Sequence, residues 1–111
     1  MNDLSNILNK IINELDSKKA INPVVLDTKG ISSFSDYFIV ASMDSERGVK
    51  ALSEHINLLL KKELKIETKT DGLSSPSWVI IDTGDIMIHL FHKDAREYYQ
   101  LESLWSNAEK K

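Results

Sequence analysis

The chain has 111 residues, no cysteine and a formal charge of -3, with 17 acids against 14 Lys plus Arg. That length is one domain's worth, so a single domain over residues 1–111 is expected. The lack of cysteine excludes a disulfide framework, a thiolate-bound zinc or iron–sulfur site and thiol catalysis, and the acid excess without a basic stripe argues against a large nucleic-acid footprint.

The N-terminal run "MNDLSNILNK" lacks the basic start and apolar stretch of a secretory leader. No apolar run approaches the ~18 residues of a membrane span. A cytoplasmic protein with no membrane partner is expected.

Asp3 reads as an N-cap, and Leu4, Ile7, Leu8, Ile11, Ile12 and Leu15 recur at helical spacing, so the first helix is predicted from Leu4 to about Lys18. After Asn22-Pro23, "VVLDT" reads as a short buried strand. Gly30, Ser32, Ser33 and Ser35 mark a loop, and "DYFIVAS", rich in aromatic and β-branched residues, is a second strand. Asp44 or Ser45 caps a second helix traced by Val49, Leu52, Ile56, Leu59 and Leu60, with Glu63 or Leu64 completing its stripe. "KIETKT" carries charge on both faces and reads as an edge strand. The break "DGLSSP" leads into "SWVIIDTGDIMIHLFH", two apolar runs around Thr83-Gly84 that read as a β-hairpin. A last helix is predicted from about Lys93 to Asn107, with "AEKK" a frayed tail. The order α-β-β-α-β-β-β-α is satisfied most simply by an α/β fold, a single mixed β-sheet flanked by helices.

Closing the hairpin with Asp82 opposite Asp85 sets Trp78 against His89 and Ile80 against Met87. One face then carries Val79, Ile81, Ile86, Ile88 and Leu90, a purely aliphatic core surface. The other carries Trp78, Ile80, Asp82, Asp85, Met87, His89 and Phe91, a mixed surface. His89 and His92 are three apart, so on a strand they point to opposite faces and do not chelate one metal. The plainer reading makes His89 a partly exposed neighbour of Trp78, and His92 a strand-end residue bonded to backbone.

Other chemistry has little support. There is no Gly-x-Ser-x-Gly elbow, and the four glycines are isolated rather than gathered in a phosphate loop. Asp82 and Asp85 flank a tight turn, where aspartate is ordinary turn chemistry. In "SDYF", Phe38 stands where an Asp-x-Asp metal site would need its second carboxylate. The terminal run places Tyr98, Leu101 and Trp105 on one helical stripe and Ala95, Tyr99 and Glu102 on its neighbour. From Asp82 to Glu102 the chain has five acids against Lys93 and Arg96, a negative bias beside aromatic residues of the kind that interfaces favour.

"VVLDTKGISSFSDYFIVAS", "SWVIIDTGDIMIHLF" and "REYYQLESLW", in this order and spacing, resemble the ribosomal silencing factor (Iojap) family across nearly the whole chain. The resemblance implies a nucleotidyltransferase-like fold without catalytic carboxylates, and a protein that is no enzyme and needs no cofactor. It implies binding to the large ribosomal subunit through its uL14-family protein, which sterically blocks joining to the small subunit and represses translation under nutrient limitation. A minor rRNA contact and a homodimer in the free state stay open. The partner-binding residues it suggests are Trp78, Met87, His89, Phe91, Arg96, Tyr98, Tyr99 and Glu102. Gln100 stands where an acid is common in the family, and Met43-Asp44 where a small residue is often seen. The alternatives are a nucleotidyltransferase-like enzyme with a relocated active site, and a metal-binding module built on His89 or His92.

Overall fold

The computed structural model describes residues 4–27, 36–74, 76–99 and 109–110. In chain order these form α1 (Leu4–Ser17), β1 (Ile21–Asp27), β2 (Tyr37–Met43), α2 (Glu46–Leu58), a π-helical turn (Leu59–Glu63), β3 (Lys69–Asp71), β4 (Trp78–Asp82), β5 (Ile86–His92), α3 (Lys93–Tyr99) and β6 (Glu109–Lys110). The strands make one sheet in the order β3-β4-β5-β2-β1-β6. β2 and β5 run parallel and every other neighbouring pair is antiparallel. This is the expected α/β architecture, with one strand added. Part of the tail read as frayed is β6, whose Glu109 and Lys110 pair with Asp27 and Leu26 and so cover part of the open edge of β1. The Asp3 cap, the loop serines and the predicted continuation of the last helix to Asn107 lie outside the described residues.

α1 ends as its sequence allows but without the usual glycine. Lys19 takes φ 61°, and the Lys19 and Ala20 amides donate to the carbonyls of Asp16 and Leu15, the paired bonds of a Schellman motif. β1 starts earlier than the reading from Val24. It enters at Ile21, and the register against β2 slips between Ile21 and Val24. Asn22 at φ 45° and Pro23, which has no N–H to give a ladder, sit in that slip. Ser45 caps α2, its hydroxyl accepting from the Gly48 amide. The widened turn after α2 buries Leu59, Leu60 and Leu64 while Glu63 stays exposed, which settles the end of that stripe. Asn57 of α2 bonds to Thr68 and Thr70 and so ties the short edge strand to the helix.

The sheet separates two cores. On one side α1 and α2 pack Ile11, Leu15, Val49, Leu52 and Ile56 against Ile39, Val79, Ile81, Ile88 and Leu90. The aliphatic hairpin face predicted from alternation is this surface. On the other side Leu26, Phe38, Val40 and Phe91 form a smaller buried cluster, bordered by Val24, Trp78, Met87 and Ala95 of α3. That face was read as mixed and partly open, and its centre is instead closed.

The hairpin register also differs from the reading. Trp78 lies opposite Phe91, Ile80 opposite His89 and Asp82 opposite Met87. The turn centres on Gly84-Asp85 rather than Thr83-Gly84. The Thr83 amide donates to the Ile86 carbonyl, and Gly84 adopts φ 101° at the first central position, as a type II′ turn requires. Thr83 Oγ1 adds a bond to each backbone group of Ile86, and Asp82 Oδ1 accepts from the Gly84 amide. The register moves by two residues, so every side chain keeps its predicted face.

Gly72 fixes the approach to β4. It has φ 95°, and a Cβ placed there would lie 2.2 Å from the Trp78 carbonyl oxygen. Gly72→Ala should therefore cost about 2 kcal/mol or more, from left-handed strain plus the clash with backbone. Urea unfolding of the variant against the parent checks this, and an unchanged midpoint would refute the tight approach.

Candidate partner-binding surface

The expected site residues differ in exposure. Trp78 and Met87 are half-buried at the border of the second cluster. His89 and Phe91 are inside it, at 4% and 0% exposure, so in the free protein neither presents surface to a partner. The correction follows from topology. The face they occupy is covered by groups from β1, β2 and α3, and the hairpin sequence alone cannot show what lies beside it.

Within the cluster the rings are arranged in order. The Trp78 Nε1–H donates to His89 Nδ1 at 3.1 Å. The indole stacks on Phe91, with centroids 4.9 Å apart and planes 29° apart. The His89 ring centroid is 6.4 Å from that of Phe91 and 4.9 Å from that of Phe38. Phe38, the residue standing where a metal-holding acid would be wanted, is thus a buried wall of this cluster. Its position against the hairpin comes from the parallel pairing of β2 with β5, where Phe38 lies opposite Met87 and Val40 opposite His89.

His89 and His92 both belong to β5, so their side chains leave opposite faces of the strand. His92 Nδ1 accepts from the Asp94 amide at 3.2 Å, which makes His92 a side-chain cap for α3. Among the described residues no three His, Asp or Glu side chains come together as a metal site would require. Asp82 is occupied with the Gly84 amide, as turn chemistry predicts.

Arg96 turns inward. Its Nη1 donates to the Ile21 carbonyl at 3.0 Å and to Ser42 Oγ at 3.3 Å. The Ile21 carbonyl sits where the β1–β2 register slips, so the guanidinium fastens α3 to the irregular start of β1. Tyr98, on the same short helix, is 81% exposed. Tyr99 ends α3, its side chain lies outside the described residues, and so does Glu102. Asp85, Asp94 and Glu97 are exposed in the same half of the chain, while Lys93 lies 3.7 Å from Asp44. The accessible candidates are therefore a half-buried Trp and Met, together with an exposed Tyr and the Asp94 and Glu97 carboxylates on one short helix. Gly72 and Phe38 are the supporting residues that sequence reading missed. Glycine in "DGLSSP" signalled a turn but not a close approach to Trp78.

A family model described as "Ribosomal silencing factor during starvation" matches residues 2–111. The chain is similar to the ribosomal silencing factor of Halalkalibacterium halodurans, 37% identical over 102 residues, 92% of this chain and 87% of that protein. A crystal structure of a Chromobacterium violaceum protein matches with a TM-score of 0.89 at 33% identity, covering 95% of this chain and 88% of that one. A more distant relative is the mouse protein named mitochondrial assembly of ribosomal large subunit protein 1, 27% identical over 103 residues, 89% of this chain and 45% of its own length.

Burial lowers the His89 pKa from its ordinary 6.5 to about 4. The unfolded chain takes up this proton near pH 6.5 and the folded chain only near 4. The stability carried by the neutral ring is thus complete above pH 6.5 and is lost as pH falls toward 4, by about 3 kcal/mol over the window. Denaturant unfolding between pH 7 and 4 should show this loss in the parent and a shallower one in His89→Leu. Parallel pH dependences in the two proteins would contradict it.

Proposed function

The chain belongs to the ribosomal silencing factor family, and we propose that it acts by binding the large ribosomal subunit through the uL14-family protein and blocking its union with the small subunit. The observation that carries this reading is the family match along residues 2–111. The large subunit as the partner is supported by the name of the mouse relative, which concerns assembly of that particle. In this reading the protein works in the cytoplasm and lowers translation when nutrients are scarce.

A steric block needs a pre-formed surface and no reaction chemistry. Trp78, Met87 and Tyr98 supply accessible apolar area of the kind that anchors interfaces. Asp94 and Glu97, on the same short helix as Tyr98, supply negative charge suited to a basic ribosomal protein. Tyr99 and Glu102 belong to the same terminal motif and complete the surface in this reading. Arg96 contributes by anchoring the helix that carries Tyr98.

Sedimentation through sucrose with separated subunits tests class and partner together. The protein should travel with large and not small subunits, and its addition should lower the fraction of joined ribosomes. Trp78→Ala and Tyr98→Ala should each weaken binding by about tenfold or more. Tyr98→Ala should lower stability far less than Trp78→Ala, because its ring is mostly exposed. Undiminished joining at saturating protein would sink the proposal. A metal- and nucleotide-dependent activity abolished by Asp82→Ala would replace it with the relocated-site enzyme.

A further inference from the structure

We propose that His89 is a positioning residue: it fixes the orientation of the Trp78 indole so that the docking surface is set before the partner arrives. The inference rests on the reading of Trp78 as a docking residue and assigns His89 a part that contact alone cannot give it.

The hydrogen-bond inventory carries the argument. His89 Nδ1 accepts from the Trp78 Nε1–H, so the Nδ1 lone pair is in use. A neutral imidazole with a free Nδ1 lone pair bears its proton on Nε2. That Nε2 is buried and has no hydrogen-bond partner. An unpaired buried donor is destabilising, and the ring's surroundings are mostly aromatic and aliphatic: Phe38, Val40, Phe91 and Trp78. A leucine or phenylalanine would fill this space without an orphaned N–H. What the imidazole adds over an apolar side chain is one acceptor, aimed at the indole.

Stacking by itself does not set the indole. The Phe91 ring limits its tilt, but offset stacking tolerates sliding, and it tolerates a half-turn of the indole that would exchange its edges. A directed N–H bond does not tolerate either. The imidazole is itself buried and in ring contact with Phe38, so the acceptor has little room to move. Trp78 is only half-buried, and its bond to His89 favours one orientation of the part that is accessible. Fixing that orientation removes an ordering cost from docking.

Three measurements on the full chain, with separated large subunits as the probe, decide the matter. The indole N–H resonance of Trp78 is identified as the one lost in Trp78→Phe, since Trp105 gives the other. In His89→Leu that resonance should broaden or split, and affinity for large subunits should fall about five- to tenfold. Unfolding stability near pH 7 should hold or rise. His89→Asn, whose Oδ1 can stand near the Nδ1 position, should recover both the single resonance and most of the affinity. The proposal is overturned if His89→Leu keeps a sharp, unshifted indole resonance or binds as the parent does. It is equally overturned if affinity falls only in step with stability and His89→Asn recovers neither. Should the parent itself fail to bind large subunits, the docking reading fails, and the indole resonance alone decides whether His89 orients Trp78.

Discussion

β2 and β5 run side by side in the same direction, from Tyr37 opposite Ile86 to Met43 opposite His92. Parallel neighbours cannot be joined by a tight turn and need a crossover. α2, the π-helical turn, β3 and β4 all lie in the chain between them. The pairing therefore forces α2 across one face of the sheet. It also places both central strands where each is covered on two sides, and β2 is buried at every residue from Tyr37 to Ser42. The same alignment carries Phe38 to His89, and Ser42 to the neighbourhood in which Arg96 finds the Ile21 carbonyl. Without it the hairpin would be an isolated ribbon with Trp78 on an open face.

The two faces are unequal in chemistry as well as in size. The helical side is largely aliphatic, packed from α1 and α2. The other side is aromatic, with a histidine inside it and a short helix held at its border by a guanidinium on a backbone carbonyl. Burial on the first side supplies the bulk of the apolar stabilisation. The second side accepts a buried polar group with one unmet donor. Local consistency is given up there, and such departures are expected where a surface serves something besides folding.

Hairpin alternation was legible because side chains on a strand repeat with period two, and a two-residue error in the turn leaves the faces intact. The turn itself was misplaced because Gly84 fits either central position of a two-residue loop. Only the Thr83–Ile86 hydrogen bond distinguishes the two registers. Burial of His89 and Phe91 could not be read, because their neighbours Phe38 and Val40 are some fifty residues away in sequence and arrive through the parallel pairing. Arg96 was expected to bind a partner, and its inward role was hidden for the same reason: its acceptor, the Ile21 carbonyl, belongs to a strand irregularity 75 positions earlier. The family resemblance was readable where pairwise contacts were not, since it rests on several segments in fixed order.

The stretch from His89 to Arg96 has the residue types of a reactive site, and the structure gives both of its histidines and its arginine an internal task. His89 accepts from Trp78, His92 caps α3, and Arg96 clamps α3 to β1. Each of these atoms would have to give up a partner inside the fold before making another contact. They are suited to rigidity. A protein that works by occupying a surface needs its own surface to lose little freedom when it docks. Under the proposed docking role, a half-buried tryptophan hydrogen-bonded from within the fold and a tyrosine on an anchored helix meet that requirement.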